Sequence, residues 1–225
     1  MDEKVIVDGA VGEVDEGVIK YQLDWTTGPA PQVDAWRELS GWRQVLRALA
    51  VLGRDPGRYG GYGFGNISRR VVTRESEETA FVITGTQTGG RARLTPEDWT
   101  LVTHCDSAVN RIVAHGPIAP SSEALTHGAV YALSREIGAV FHVHAPELWR
   151  AADRLGLPAT AGDVAYGTPA MAAEVARLTV EVDLLTERIF VMNGHEDGVI
   201  AFGATPDAAG AVLVAHLARA ARSNA

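Results

Sequence analysis

The stretch Ala139-Val140-Phe141-His142-Val143-His144 decides how this chain folds. Its residues are apolar apart from two histidines, and β-branched and aromatic side chains favour a buried strand. Because side chains alternate along a strand, His142 and His144 share one face, whereas Phe141 and Val143 share the other. Two imidazoles at this spacing lie about 6 to 7 Å apart at their Cα atoms, so both can reach one metal ion.

An isolated His-x-His pair is by itself more typical of hydrogen-bonded histidines at a sheet end, so other residues decide the interpretation. His195 lies in the turn Asn193–Gly198 between two predicted strands and is the best placed of the remaining histidines. Glu123 begins a predicted helix directly before the strand that carries His142 and His144. Catalytic sites hold a metal by about three protein ligands and leave one position open. The combination therefore predicts a metal site with a glutamate beside it.

Helices and strands alternate along the rest of the chain. Three long stretches are predicted to be helices, because apolar residues recur every three or four positions or alanine dominates: Val33–Leu52, Ser121–Arg135 and Pro206–Arg222. Short apolar runs between them are typical of strands, several in hairpin-like pairs. This arrangement predicts an α/β sandwich with a mixed or antiparallel sheet. Residues 1–33 are interpreted as an N-terminal extension, a hairpin packed on the body.

The composition excludes several classes of function. The formal net charge of −8 and a pI near 5.3 give no basic surface for a nucleic-acid backbone, although a small anionic substrate stays open. No apolar run reaches the roughly 18 residues of a membrane span, and the N-terminus lacks a leader pattern. The protein is therefore expected to be cytoplasmic, with neither nucleic acid nor membrane as a partner.

Two scarce residue types narrow the chemistry further. Cys105 is the only cysteine, so a metal has to be held by histidine and carboxylate rather than by a cysteine cluster. Lys4 and Lys20 are the only lysines, and both lie in the leading segment. A buried lysine that forms a Schiff base is thus nearly excluded. Carbonyl chemistry would need a metal as its electron sink.

Two glycine-rich stretches are candidate binding loops. Tyr59–Arg70 has four glycines within seven residues, and Thr84–Gly90 mixes glycine with hydroxyl side chains. Glycine lets the backbone approach a ligand closely, and a nest of backbone amides binds anions. These loops predict a small anionic substrate near the metal.

Five motifs follow one another in the order of a known family: Gly65-Asn66-Ile67-Ser68, Pro120-Ser121-Ser122-Glu123, His142-Val143-His144, Tyr166-Gly167-Thr168 and the late His195. In these motifs the chain resembles class II aldolase/adducin-like proteins, the group of L-fuculose-1-phosphate aldolase, over roughly residues 34 to 220. The resemblance implies an αβα sandwich with a central mixed or mostly antiparallel β-sheet, assigned here to residues 34–225. It also implies a four-fold symmetric homotetramer with zinc at the subunit boundaries.

The same resemblance implies roles for individual residues. His142, His144 and His195 match the three metal ligands, with Zn as the expected ion and Mn, Co or Fe as alternatives. Glu123 matches the catalytic acid/base. A further set of residues matches the positions that bind the substrate phosphate: Asn66, Ser68, Thr84, Gly85, Ser121 and Ser122.

The implied activity is that of a metal-dependent lyase, the retro-aldol cleavage of a phosphorylated ketose or related hydroxy-ketone through a metal-stabilised enediolate. A dehydratase or decarboxylase of a sugar phosphate or 3-oxo acid is an alternative on the same fold. A non-catalytic adducin-like interaction protein is disfavoured, because such members look as if they have lost the metal histidines. A cupin-like oxygenase, suggested by His142-x-His144-x-x-Glu147, is disfavoured by the alanine-rich helices that flank the motif.

The chain departs from the family pattern in two places. Members usually have Asn-His-Gly at the third ligand, whereas this chain has Asn193-Gly194-His195-Glu196, which leaves Glu196 open as a competing ligand. Aldolases of the group often use a tyrosine near the C-terminus, but the last tyrosine here is Tyr166. The acid that protonates the aldehyde therefore has no assignment from the sequence.

Overall fold

The strand predicted over Ala139–His144 is confirmed over the same residues and lies in the interior of the main sheet. The computed structural model describes residues 16–32, 35–72 and 80–223. Within these ranges the chain forms ten strands: β1 Gln22–Thr27, β2 Gly53–Arg54, β3 Gly63–Phe64, β4 Asn66–Arg70, β5 Phe81–Thr84, β6 Trp99–Asp106, β7 Arg111–Gly116, β8 Ala139–His144, β9 Ile189–Val191 and β10 Gly198–Gly203.

Eight of these strands form one sheet in the order β1-β7-β6-β5-β4-β8-β10-β9, and β2 and β3 form a separate pair. Every neighbouring pair in the large sheet is antiparallel except β1 and β7, which run parallel. The backbone of β8 is hydrogen-bonded on both sides, to β4 and to β10. The predicted mixed, mostly antiparallel sheet is thus confirmed, and its histidine-bearing strand is held from both sides.

Helices cover both faces of the sheet. The α-helices of the described ranges are α1 Ala35–Ala48, α2 Ala124–Leu133, α3 Pro146–Arg150, α4 Ala152–Leu155, α5 Pro169–Val182, α6 Leu184–Glu187 and α7 Pro206–Ser223, with short 3-10 helices at Tyr59–Gly61 and Pro96–Asp98. Side chains of α1, α3, α4 and α7 pack on one face, and those of α2, α5 and α6 pack on the other. This arrangement is the predicted αβα sandwich, and it excludes the all-β fold of a cupin.

The alternation of side chains along β8 divides the core into two clusters. Phe141 and Val143 belong to the cluster beneath α1 and α7, whereas Val140 belongs to the cluster beneath α2 and α5. Burial of each large apolar side chain contributes about 1.5 to 3 kcal/mol. Because His142 and His144 share the face of Val140, the sheet presents both imidazoles on the side where α2 lies.

Two element boundaries in the structure differ from their predicted positions. The glycine-rich loop that starts at Tyr59 ends earlier than predicted, because Asn66 already begins β4 and Ile67 is fully buried in the core. The helix predicted from Ser121 starts at Ala124, and Glu123 is its N-cap residue. Helix α5 starts at Pro169, and the Thr168 hydroxyl caps it by accepting a hydrogen bond from the Met171 N–H at 3.3 Å.

The later part of the N-terminal extension forms β1, an edge strand of the main sheet. β1 pairs in parallel with β7, from Gln22 opposite Arg111 to Thr27 opposite Gly116. Residues 1–15 lie outside the described residues, so the hairpin and the domain boundary at residue 33 stay predictions. Among the described residues, none of the helices is both long and apolar enough to span a membrane.

Candidate metal centre

Three histidine side chains converge at one end of the sheet. His142 and His144 come from the second half of β8, and His195 comes from the turn between β9 and β10. The potential ligand nitrogens of the three side chains all lie within 4.8 Å of one another, and the Nε2 atoms of His144 and His195 are 3.0 Å apart. All three side chains are buried. One ion can therefore contact all three rings.

The turn that carries His195 depends on a glycine. The His195 N–H donates to the Met192 carbonyl at 3.0 Å, and the Gly198 N–H donates to the His195 carbonyl at 2.9 Å. A Cβ atom on Gly194 would lie 2.1 Å from the carbonyl oxygen of Val164. Any other residue at position 194 would push the turn away, so the glycine fixes where His195 enters the cluster.

Glu123 places a carboxylate beside the histidines. Its Oε1 atom lies 3.8 Å from Nε2 of His142 and 3.9 Å from Nε2 of His195, and the residue is only 2% exposed. Burial raises the pKa of the Glu123 carboxyl to about 7, and the Thr126 hydroxyl and the Lys20 ammonium oppose part of this shift. A carboxyl with a pKa near neutrality can both accept and return a proton.

The side chains present fit a divalent cation. Burial lowers the pKa of His142 to about 3 and holds the pKa of both His144 and His195 well below the usual range, which keeps all three rings neutral. A neutral imidazole is the form that binds a metal. Nε2 of His142 and both carboxylate oxygens of Glu123 are buried and make no hydrogen bond within the described residues. Such atoms are rare in folded proteins, and a cation would give them a partner.

The residues predicted to bind an anion cluster beside this centre. Asn66 of β4 lies directly opposite His142 of β8, and its Oδ1 atom is buried without a hydrogen-bond partner in the described part of the chain. The Ser121 N–H donates to the Thr84 carbonyl at 3.2 Å, which joins the end of β5 to the segment before α2. Ser122 follows at the N-terminal end of α2, where backbone amides favour negative charge.

Two residues of the predicted set are already engaged within the chain. The Gly85 N–H donates to the Asp98 carbonyl at 2.8 Å, so this amide is not directed at a ligand. The Ser68 hydroxyl is fully buried and lies 2.7 Å from Nδ1 of His127 and 2.8 Å from the Tyr131 hydroxyl. In this conformation Ser68 supports the packing of α2 on the sheet, and its predicted contact with a phosphate would require these bonds to change.

Two residues at the centre were missed by reasoning from the sequence. Glu16 lies 3.7 Å from Nε2 of His144 through Oε1 and 3.7 Å from Nε2 of His195 through Oε2. The Tyr59 ring packs edge-on against His144 with centroids 4.4 Å apart, and its hydroxyl donates to Asp197 at 2.6 Å. Glu16 lies in a segment without a motif. Tyr59 lies in a stretch whose only sequence signal is its glycines.

The competing ligand that the sequence suggested, Glu196, does not lie at the metal centre. Glu196 is exposed and lies outside the three-histidine cluster, whereas His195 is buried within it. The next residue, Asp197, is buried and accepts the Tyr59 hydroxyl. The structure therefore favours His195, and not Glu196, as the metal ligand that this turn supplies.

A comparison with protein families matches residues 48–223 to the family described as Class II Aldolase and Adducin N-terminal domain. The match spans well over half of the chain, and the chain therefore belongs to the class II aldolase/adducin family. No curated protein shows significant similarity to the sequence.

Solved structures of the same fold include several aldolases. The L-fuculose-1-phosphate aldolase from Thermus thermophilus is 22% identical with a TM-score of 0.56, and the alignment covers 84% of this chain and 91% of that chain. The sugar-phosphate aldolase from Thermotoga maritima is 18% identical with a TM-score of 0.59, covering 83% and 92%. YgbL from Klebsiella pneumoniae, a putative aldolase/epimerase/decarboxylase, is 17% identical with a TM-score of 0.59, covering 83% and 86%. At these identities the likeness establishes the fold.

Proposed function

We propose that the protein is a metal-dependent lyase that cleaves a phosphorylated ketose or a related small hydroxy-ketone by a retro-aldol reaction. One observation carries the proposal: three neutral, buried imidazoles converge, and a buried glutamate lies within 3.9 Å of two of them. Family membership and the aldolases among the solved structures with this fold support the same class of reaction.

His142, His144 and His195 would hold the cation, and Glu123 would move the proton. A bound divalent metal would supply a positive charge that draws electrons from the substrate carbonyl. In the cleavage direction one carbon–carbon bond breaks, a hydroxyl proton leaves, and a proton is delivered to the carbon beside the carbonyl. The raised pKa of Glu123, about 7, suits a group that carries a proton in both directions near neutral pH.

The negatively charged end of the substrate would lie against the segment before α2. Asn66 and Ser122 would donate side-chain hydrogen bonds there, with Thr84 and Ser121 supporting them through the link between the two loops. Charge-assisted hydrogen bonds of this kind are about twice as strong as neutral ones. We include a zinc ion and a homotetramer in the proposal, following the family resemblance, and sedimentation analysis of the purified protein tests the second.

The test is a screen of metal-loaded protein against phosphorylated ketoses, with the released aldehyde trapped by a coupled reductase. Glu123→Gln should retain the metal but lose at least about 100-fold in kcat, because a positioned acid/base contributes roughly 10² to 10⁴. Glu136→Gln, an exposed carboxylate beyond the end of α2, is the matched control and should keep the full rate.

Two results would contradict the proposal. Absence of stoichiometric metal in carefully prepared wild-type protein would remove its basis. Release of carbon dioxide or loss of water, with no aldehyde from any ketose, would assign the site to a decarboxylase or a dehydratase instead.

A further inference from the structure

The segment before β1 brings a second carboxylate to the histidine cluster. Both oxygens of Glu16 face it, Oε1 at 3.7 Å from Nε2 of His144 and Oε2 at 3.7 Å from Nε2 of His195. The Glu16 side chain is only 12% exposed. An acidic side chain from the N-terminal extension is therefore enclosed within the centre rather than directed into solvent.

The position of Glu16 is supported by contacts of the residues that follow it. The Val18 N–H donates to the Tyr166 hydroxyl at 3.0 Å, and that hydroxyl lies 3.3 Å from the Val18 carbonyl. The Lys20 ammonium lies 3.5 Å above the centre of the Tyr166 ring, a cation–π contact. The Tyr166 ring packs edge-on against His195, with centroids 4.5 Å apart. Tyr166 therefore contacts both this segment and the histidine cluster.

Tyr21 fixes one end of this segment to the body, and Gly17 packs closely against the body near the other end. The Tyr21 hydroxyl donates to the Ser121 carbonyl at 2.8 Å, and the Tyr21 side chain is buried in the core beneath α2. Gly17 has a φ of +77° and fits so closely against Gln87 that a Cβ atom would lie 2.2 Å from its Nε2 atom. Residues 16–21, called here the N-terminal strap, thus run from the sheet edge across the candidate centre.

The two carboxylates face different pairs of histidines. Glu123 lies near His142 and His195, whereas Glu16 lies near His144 and His195. Four ligands placed tetrahedrally at 2.0 to 2.1 Å from zinc are about 3.3 to 3.4 Å apart, and the 3.7 Å distances of Glu16 are a few tenths longer. Glu16 therefore needs only a small movement to complete a set of three imidazoles and one carboxylate.

We propose that Glu16 is a metal ligand of the resting protein and occupies the coordination position that a substrate has to take. The N-terminal strap then holds a built-in competitor at the metal, and a substrate binds only after the Glu16 side chain moves away. This inference rests on the proposed metal centre. It adds a metal ligand from a part of the chain without a family motif.

Cobalt binding by Glu16→Gln tests the inference without any substrate. The amide keeps the shape of the side chain but is a poorer ligand, so the affinity for Co²⁺, measured by competition with a chelator, should fall by at least about tenfold. The visible spectrum of the bound Co²⁺ should change as well. Acetohydroxamate, a small anionic chelator, should bind the cobalt-loaded variant about tenfold more tightly, because its competitor has been weakened.

Two further variants distinguish the effect of the Glu16 carboxylate from the effect of nearby charge and of the position of the N-terminal strap. Asp24→Asn removes one negative charge from β1, where Asp24 is exposed and paired with Arg111, and should leave both affinities unchanged. Gly17→Val keeps the carboxylate but cannot adopt the φ of +77° without strain, and its side chain would meet Gln87. It should displace the strap and change both affinities in the same direction as Glu16→Gln.

Equal cobalt and acetohydroxamate affinities in wild type and Glu16→Gln would overturn the inference and leave the proposed function standing. Failure of wild-type protein to bind Co²⁺ at all would overturn both. Circular dichroism of each variant establishes that the fold is retained.

Discussion

Tyr59 connects the glycine-rich loop to the candidate centre. Its φ of +48° is in the left-handed region, which is uncommon for a residue with a side chain. Its hydroxyl accepts a hydrogen bond from Arg58 and donates one to Asp197, and burial followed by the bond to Asp197 raises its pKa. The ring packs against His144. The strained backbone is compensated by contacts that place an aromatic wall beside a metal-binding ring.

Tyr59→Phe separates the two roles of this side chain. The ring contact with His144 remains, but Asp197, whose side chain is 6% exposed, loses a hydrogen bond. We expect a loss of about 1 to 2 kcal/mol in the free energy of unfolding, measured by urea titration, with unchanged metal content. Tyr62→Phe, at an exposed neighbouring position, should stay within about 0.5 kcal/mol of wild type. A loss of metal together with stability would show that the hydroxyl, and not the ring, positions His144.

Among the elements, α1 and α7 show how close packing limits a helix sequence. Trp42 of α1 lies across Gly210 of α7, and its indole N–H donates to Asp207 at 2.6 Å. A Cβ atom on Gly210 would lie 2.2 Å from the Trp42 ring. The glycine is therefore required by the neighbouring helix, although it lowers the intrinsic helix propensity of α7.

Replacement of two helical glycines by alanine should have opposite effects. Gly41→Ala in α1 meets nothing within 4 Å and should stabilise the protein by up to about 1 kcal/mol through helix propensity. Gly210→Ala gains the same propensity but drives a methyl group into Trp42, so we expect a net loss of about 1 to 3 kcal/mol. Urea midpoints of the two variants measure the difference. Stabilisation by both would mean that Trp42 moves aside at little cost.

The elements could be predicted wherever periodicity was strong. β8 was predicted at its true boundaries because apolar residues surround its two histidines in one short run, and α7 was predicted at its true start, Pro206. β4 was predicted as part of the loop Tyr59–Arg70, since the glycines before Asn66 conceal the strand that follows them. The start of α2 was misplaced because Ser121 and Ser122 both resemble helix caps, whereas the structure places Glu123 there.

At the scale of the whole molecule, the three histidines and Glu123 could be predicted, whereas Glu16 could not. His142 and His144 are linked by strand spacing, and His195 and Glu123 by the order of the family motifs. Glu16 has neither kind of signal. Its approach depends on the parallel pairing of β1 with β7 and on the path of the strap across Tyr166, which are tertiary facts.

Metal binding should stabilise the whole fold through its ligands. A ligand at 100 times its dissociation constant stabilises the native state by about 2.7 kcal/mol, which for a chain of this length raises the Tm by roughly 5 to 10 °C. Calorimetry with Zn²⁺ and then with excess EDTA should show this shift and its reversal in wild type. His142→Ala should show neither, whereas His104→Ala, at an exposed position of β6, should behave as wild type. A shift that survives in His142→Ala would place the zinc elsewhere.

Because Glu16 is attached to the body of the protein, inhibition by the N-terminal strap should not depend on protein concentration. Glu16 is joined to β1 by residues 17–21, so its effective concentration at the metal is set by this short tether and is on the order of millimolar or more. A competitor of this kind is neither diluted nor dialysed away. The apparent substrate affinity should therefore be the same at every protein concentration, and free carboxylate buffers well below that level should add little inhibition.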